Sequence, residues 1–165
     1  MDEIEDRFAI QDLLYLYAFL ADTDQFHRIT DEIFADDAVL DWGVREVRGR
    51  DALRAWFDAP RPGLRGTSHN ISNVLVRIDG DRASALSKMV AWHWFDEGSE
   101  ATALQPANAV IVGGYEDELR RAAVGWRITH RSAHQFGPGG IGTAGPVPSM
   151  IVPLVEATKG RRPDW

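Results

Sequence analysis

The sequence predicts one α+β domain over residues 1–136 and a Gly/Pro-rich C-terminal extension over 137–165. Two observations lead there. Apolar residues recur at helical spacing in the first third of the chain, and long segments of strand-like alternation fill the second half. These late segments follow one another with no room for crossover helices, which excludes a parallel α/β sheet. A chain of 165 residues suits one domain with a sizeable core.

Asp2 and Glu5 have the spacing of a capping box. Ile4, Phe8, Ile10, Leu13, Leu14, Tyr17 and Leu20 continue from it at helical spacing, predicting a first helix over 3–21. After the break at Asp22-Thr23-Asp24, the residues Phe26, Ile29, Ile33 and Phe34 mark a second short helix over 25–35. A short strand over 38–42 ends at Gly43. A third helix over 51–58 carries Leu53, Trp56 and Phe57 and stops at Pro60-Arg61-Pro62-Gly63. Strands are expected over 67–78, 82–95, 103–116 and 125–136, the first two joined by an Asp79-Gly80 hairpin turn. In the extension, Met150, Ile151, Val152, Leu154 and Val155 are too apolar to leave in water. They are expected to pack on the same or a neighbouring subunit, where they would close a pocket mouth.

Composition excludes several classes. With 25 acidic against 18 basic residues the net charge is −7, the wrong sign for phosphate backbones or anionic membranes. Cysteine is absent, which removes disulfides, Cys-bound zinc, iron–sulfur clusters and thiolate nucleophiles. The acidic start, Met1-Asp2-Glu3, is unlike a signal peptide, and no apolar run approaches the roughly 18 residues of a membrane span. The expected location is the cytoplasm. Gly113-Gly114 lacks the Lys-Ser/Thr of a phosphate loop, and Ser68, Ser72 and Ser132 have no nucleophile-elbow context. His130 and His134 would lie about 13 Å apart on a strand, too far to share a metal. Neither cofactor nor metal is expected.

The informative residues are Asp22 and the histidines. Asp22 follows an apolar helix face at a chain turn, where it either caps the second helix or points inward; Asp24 would serve equally well as the cap. His69 shares its strand side with Ile71, Asn73 and Leu75. It is either a hydrogen-bonded core residue or a general base whose second nitrogen is held by a carboxylate from elsewhere. His93 ends a small-residue strand face of Ala85, Ser87, Met89 and Ala91, which would line a cavity. The opposite face, Leu86, Lys88, Val90, Trp92 and Trp94, suits a subunit interface.

These residues fall in a recognisable order: Ile10-Gln11-Asp12-Leu13-Leu14, Tyr17 and Asp22, then Phe34-Ala35-Asp36-Asp37-Ala38-Val39-Leu40 and Val47-Arg48-Gly49-Arg50. Thr67 to Val74, Asp79 to Ala83 and Gly125-Trp126-Arg127-Ile128 complete it. Over residues 1–136 the chain resembles the SnoaL-like branch of the nuclear transport factor 2-like superfamily. The resemblance implies a cone-shaped α+β barrel, a curved antiparallel sheet wrapped around the N-terminal helices with one deep pocket. In the family's lyases (scytalone dehydratase, bile-acid 7α-dehydratase and hexachlorocyclohexane dehydrochlorinase) an Asp after the first helix pairs with a strand His, and Asp22 and His69 match them. Arg131, His93 and Trp42 resemble further pocket residues. Two pocket positions depart from these relatives: scytalone dehydratase has Tyr where Ala21 stands, and the dehydrochlorinase has Lys where Tyr17 stands.

The resemblance therefore implies a cofactor-free lyase, a dehydratase with His69, Asp22 and Arg131 as catalytic residues. Tyr17, Trp42, Ile71, Met89 and His93 would bind a small, mostly apolar ring-containing substrate. The alternatives are an isomerase or cyclase using the same dyad, a non-catalytic binder, or the small subunit of a ring-hydroxylating dioxygenase. A homo-oligomer is expected, a trimer ahead of a dimer, with no nucleic-acid or membrane partner.

Overall fold

The computed structural model describes residues 2–95, 109–134 and Ala157. Among the described residues three helices, α1 (Glu3–Asp22), α2 (Phe26–Glu32) and α3 (Arg50–Phe57), lie against one six-stranded sheet. Its strands are β1 (Phe34–Asp41), β2 (Glu46–Arg48), β3 (Leu64–Asp79), β4 (Arg82–Phe95), β5 (Ala109–Ala122) and β6 (Gly125–His134). Their spatial order is β2-β1-β6-β5-β4-β3, with β2 and β3 at the two edges, so the curved sheet does not close. The expected α+β class is observed. The sheet is mixed, because β1 runs parallel to β6 while every other pair is antiparallel. The expected extension over 137–165 lies outside the described residues apart from Ala157. Among the described residues no helix is long and apolar enough to cross a membrane.

The capping box at Asp2 and Glu5 forms as expected and starts α1. From Ile10 onward the helix buries Leu13, Leu14, Tyr17, Leu20 and Ala21 against the sheet. Ile4 and Phe8 lie off that face and stay exposed. Asp6 on the same helix is buried, where it clamps the guanidinium of Arg121 through both oxygens, at 2.6 and 2.5 Å. It also accepts the indole N–H of Trp126 at 3.0 Å. This cluster pins α1 to the β5–β6 turn. The Arg121 hydrogen bond is the main reason the Asp6 carboxyl falls to about 2.

Several boundaries differ from the sequence reading. The second helix ends at Glu32 and the strand begins at Phe34, because Ile128 N–H donates to the Ile33 carbonyl and draws the chain onto β6. β2 is additional to the expected strands; with three residues and one buried side chain, Val47, it shows no period. β5 extends to Ala122 because its charged half still alternates, with Asp117 and Leu119 buried and Glu118 and Arg120 exposed. Residues 103–108 of that expected strand, and 135–136 of the last, lie outside the described residues.

The expected face of β3 holds only in part. His69 pairs with Ala91 and Ile71 with Met89, all on the inner side. The register then shifts between Ser72 and Leu75, where Asn73 takes a left-handed φ of 50°. Such a bulge inserts an extra residue and reverses which side chains point inward. Val76 is therefore buried and Leu75 is 52% exposed, the opposite of the sequence expectation. On β4 the predicted faces are observed: Ala85, Ser87, Met89 and Ala91 are buried, while Leu86, Lys88 and Val90 are half-buried or exposed.

Candidate active site

Asp22 is the last residue of α1, and Thr23 caps the helix end through its N–H to the Phe19 carbonyl. A helix C-terminus is unfavourable for a carboxylate, because the last carbonyls carry partial negative charge. Three donors from β3 offset this. The His69 ring meets Asp22 Oδ1 through Nδ1 at 2.6 Å. The His69 backbone N–H donates to Oδ2 at 2.7 Å. The Thr67 hydroxyl donates to Oδ1 at 2.8 Å. Burial pushes the Asp22 carboxyl up, but the ring, backbone and hydroxyl donors outweigh it and hold the group below its ordinary value. Neither Asp22 nor Asp24 caps α2; its N-cap is Gln25, with no side-chain cap, and Asp24 has a φ of 57°.

The pair is largely shielded, with side-chain exposures of 11% for His69 and 23% for Asp22. A carboxylate on Nδ1 fixes that nitrogen as the proton carrier and leaves Nε2 with a lone pair. His69 lines a cavity of about 340 Å³ between the sheet and the helices. Thr67 and His93 share it, as expected for directly paired residues of neighbouring strands. The His93 ring stands edge-on to His69 at 5.7 Å and stacks on Phe95. Tyr17, Phe26, Trp42, Trp56, Phe57 and Phe95 supply most of the apolar wall.

Of the sequence-predicted site residues, the structure brings Asp22, His69, Tyr17, Trp42 and His93 together. Ile71 and Met89 face inward but pack into the core and do not line the cavity. Arg131 also lies outside the lining. It is 1% exposed and forms a two-pronged ion pair with Asp117, at 2.7 and 2.9 Å. Its guanidinium is sandwiched between the rings of Tyr17 and Tyr115, each at 4.3 Å. It therefore supports the cavity wall from behind Tyr17.

Sequence reasoning missed Thr67, Trp56, Arg45 and Arg61 as lining residues. Thr67 had a usable signal, since it lies two residues before His69 on the same strand face. Arg61 had none. Its Nη1 donates to the carbonyls of Phe57 and Ala59 at 2.9 and 3.0 Å, and its Nη2 to that of Trp56 at 3.4 Å. The guanidinium covers the Phe26 ring at 3.9 Å. Burial lowers its pKa from the ordinary value.

Among curated proteins, the uncharacterized protein Rv2910c of Mycobacterium tuberculosis is 30% identical over 135 residues, covering 78% of this chain and 84% of that one. Solved structures share the fold. One from Novosphingobium aromaticivorans, named as a candidate aromatic ring hydroxylase, is 26% identical with a TM-score of 0.71, covering 84% of this chain and 94% of its own. A second from that organism, named as a candidate scytalone dehydratase, is 19% identical with a TM-score of 0.71, covering 88% and 95%. The hexachlorocyclohexane dehydrochlorinase LinA-type3 of Novosphingobium barchaimii is 19% identical with a TM-score of 0.66, covering 87% and 97%. Identities as low as those last two carry the fold alone. The SnoaL-like domain family matches residues 2–132, and the chain belongs to that family.

Proposed function

We propose that the protein is a lyase, a dehydratase acting on a small, mostly apolar ring-bearing molecule, with His69 as general base. The observation that carries this reading is the 2.6 Å contact between Asp22 and His69 Nδ1 beside an aromatic-walled cavity. Nε2 takes a proton from the carbon next to a substrate carbonyl, and the electron pair moves onto the carbonyl oxygen as an enolate. Asp22 stabilises the imidazolium that forms. The enolate then reforms the carbonyl and expels a β-hydroxyl, which collects the proton from Nε2 and leaves as water. Tyr17 and His93, which also line the cavity, would steady the developing oxyanion. Arg131 acts through Tyr17 as a positioning residue. An isomerase or cyclase would share the first step and differ only in where the enolate collapses.

The test separates these steps. The protein is incubated in D2O with 1-tetralone, and deuterium entry at C2 is followed by proton NMR. It is incubated separately with 3-hydroxy-1-tetralone, whose loss of water gives 1-naphthol. The expected result is catalysed exchange and catalysed dehydration, both abolished in His69→Asn. Exchange without dehydration would move the assignment to isomerase or cyclase. Equal rates in wild type and His69→Asn would refute the base and leave a binding protein.

A further inference from the structure

The cavity wall carries an unusual charge balance. Its described lining includes Arg45, Arg61, His69 and His93 and no Asp or Glu, although the chain holds 25 acidic residues. Asp22 stands behind His69 and is not part of the wall. Many other arginines are neutralised: Arg28 by Glu32, Arg54 by Asp31, Arg120 by Asp37 and Arg131 by Asp117. Among the described residues Arg61 makes no such direct ion pair; Asp24 and Asp58 act on its charge only through space.

Among the described residues its hydrogen bonds leave one edge open. Nη1 is committed twice and Nη2 once, all to carbonyls at the end of α3. What remains is the Nε–H and the second Nη2–H, which lie side by side on one edge of the planar group. Two parallel N–H donors at that spacing match the two oxygens of a carboxylate. The carbonyls and the Phe26 ring hold the guanidinium in place, so little freedom is lost on binding. Arg45 stands over the Trp56 ring at 5.3 Å and adds a second positive charge to the lining.

We propose that the molecule taken by this cavity bears a carboxylate beside its ring system, and that the open edge of Arg61 receives it. This rests on reading the cavity as the substrate site, and it narrows the substrate from any apolar ring compound to an anionic one. The aromatic wall takes the ring and Arg61 the carboxylate. Arg61 thereby sets which end of the molecule enters toward His69.

The experiment measures binding without turnover. Calorimetric titrations compare 2-naphthoate with the neutral, similarly shaped 2-naphthamide, in wild type, Arg61→Gln, Arg61→Lys and His69→Asn. Wild type is expected to prefer the naphthoate by about tenfold or more, the scale of a charge-assisted pair. Arg61→Gln should reduce that preference to about twofold or less, because the charge-assisted fork is lost. Arg61→Lys should fall between, keeping the charge and losing the fork. Equal affinities in wild type, no binding of either probe, or a preference that survives Arg61→Gln would each overturn the proposal. If Arg61→Gln fails to fold, the wild-type comparison and Arg61→Lys decide. His69→Asn should retain the preference. A naphthoate preference in a protein that catalyses exchange neither in 1-tetralone nor in the carboxylate-bearing 4-oxo-1,2,3,4-tetrahydro-2-naphthoate would retire the lyase and leave the anion site standing.

Discussion

Replacing Asp22 by Asn tests the dyad at its most constrained point. The carboxylate accepts from three groups: the His69 ring, the His69 backbone N–H and the Thr67 hydroxyl. An amide has one oxygen and one NH2. The backbone N–H cannot change its role, so the amide oxygen must turn toward it. The NH2 then faces His69 Nδ1 and Thr67 Oγ1, and both must become acceptors. The hydroxyl rotates, and the imidazole moves its proton from Nδ1 to Nε2. The lone pair now points at the new amide and not at the cavity. Losing charge assistance and rearranging these bonds costs about 1–3 kcal/mol of stability. Loss of a usable base lowers proton-transfer rates by about 10²- to 10⁴-fold. The nitrogen-15 shifts of the His69 ring read the tautomer without a substrate. Wild type should show Nδ1 protonated and Nε2 bare, and D22N the reverse. A bare Nε2 in D22N, or a protonated one in neutral wild type, would refute the reasoning.

Two further outcomes follow from buried charges. Asp6 is held at about 2, below its ordinary 3.8, so the unfolded chain takes up this proton before the folded one does. Its contribution to stability is whole above the unfolded value and is lost as the pH falls toward about 2. Urea midpoints between about pH 5 and pH 2.5 should fall less steeply in Asp6→Asn than in wild type; parallel curves would contradict this. Asp117→Asn leaves the Arg131 guanidinium buried without its counter-charge. Breaking such a pair costs about 3–5 kcal/mol, which in a domain of this size lowers Tm by roughly 6–20 °C. A calorimetric shift of only a degree or two would mean that the two tyrosine faces alone suffice to hold Arg131.

Much of this molecule is set by local pattern. The α1 capping box, the alternation along β4 and the turn at Asp79-Gly80 are short-range decisions, made by neighbours within a few residues. They are legible for that reason. The order of motifs also points to Asp22 and His69 as partners. Four things needed the folded chain. The bulge at Asn73 reverses the face of β3, and nothing local in Ser72-Asn73-Val74 announces a change of register, which depends on pairing with β4. The parallel β1–β6 pair joins segments some ninety positions apart. The family resemblance makes Arg131 a pocket residue, yet Asp117 directly opposite on β5 captures it and turns it into a buried strut. Arg61, between two prolines, gave no pattern at all; its place in the wall is decided by the end of α3 and the ring of Phe26. Sequence alone determined most of the elements and singled out Asp22 and His69. Tertiary structure decided which charges face the cavity, because a charge's role depends on which partner reaches it first.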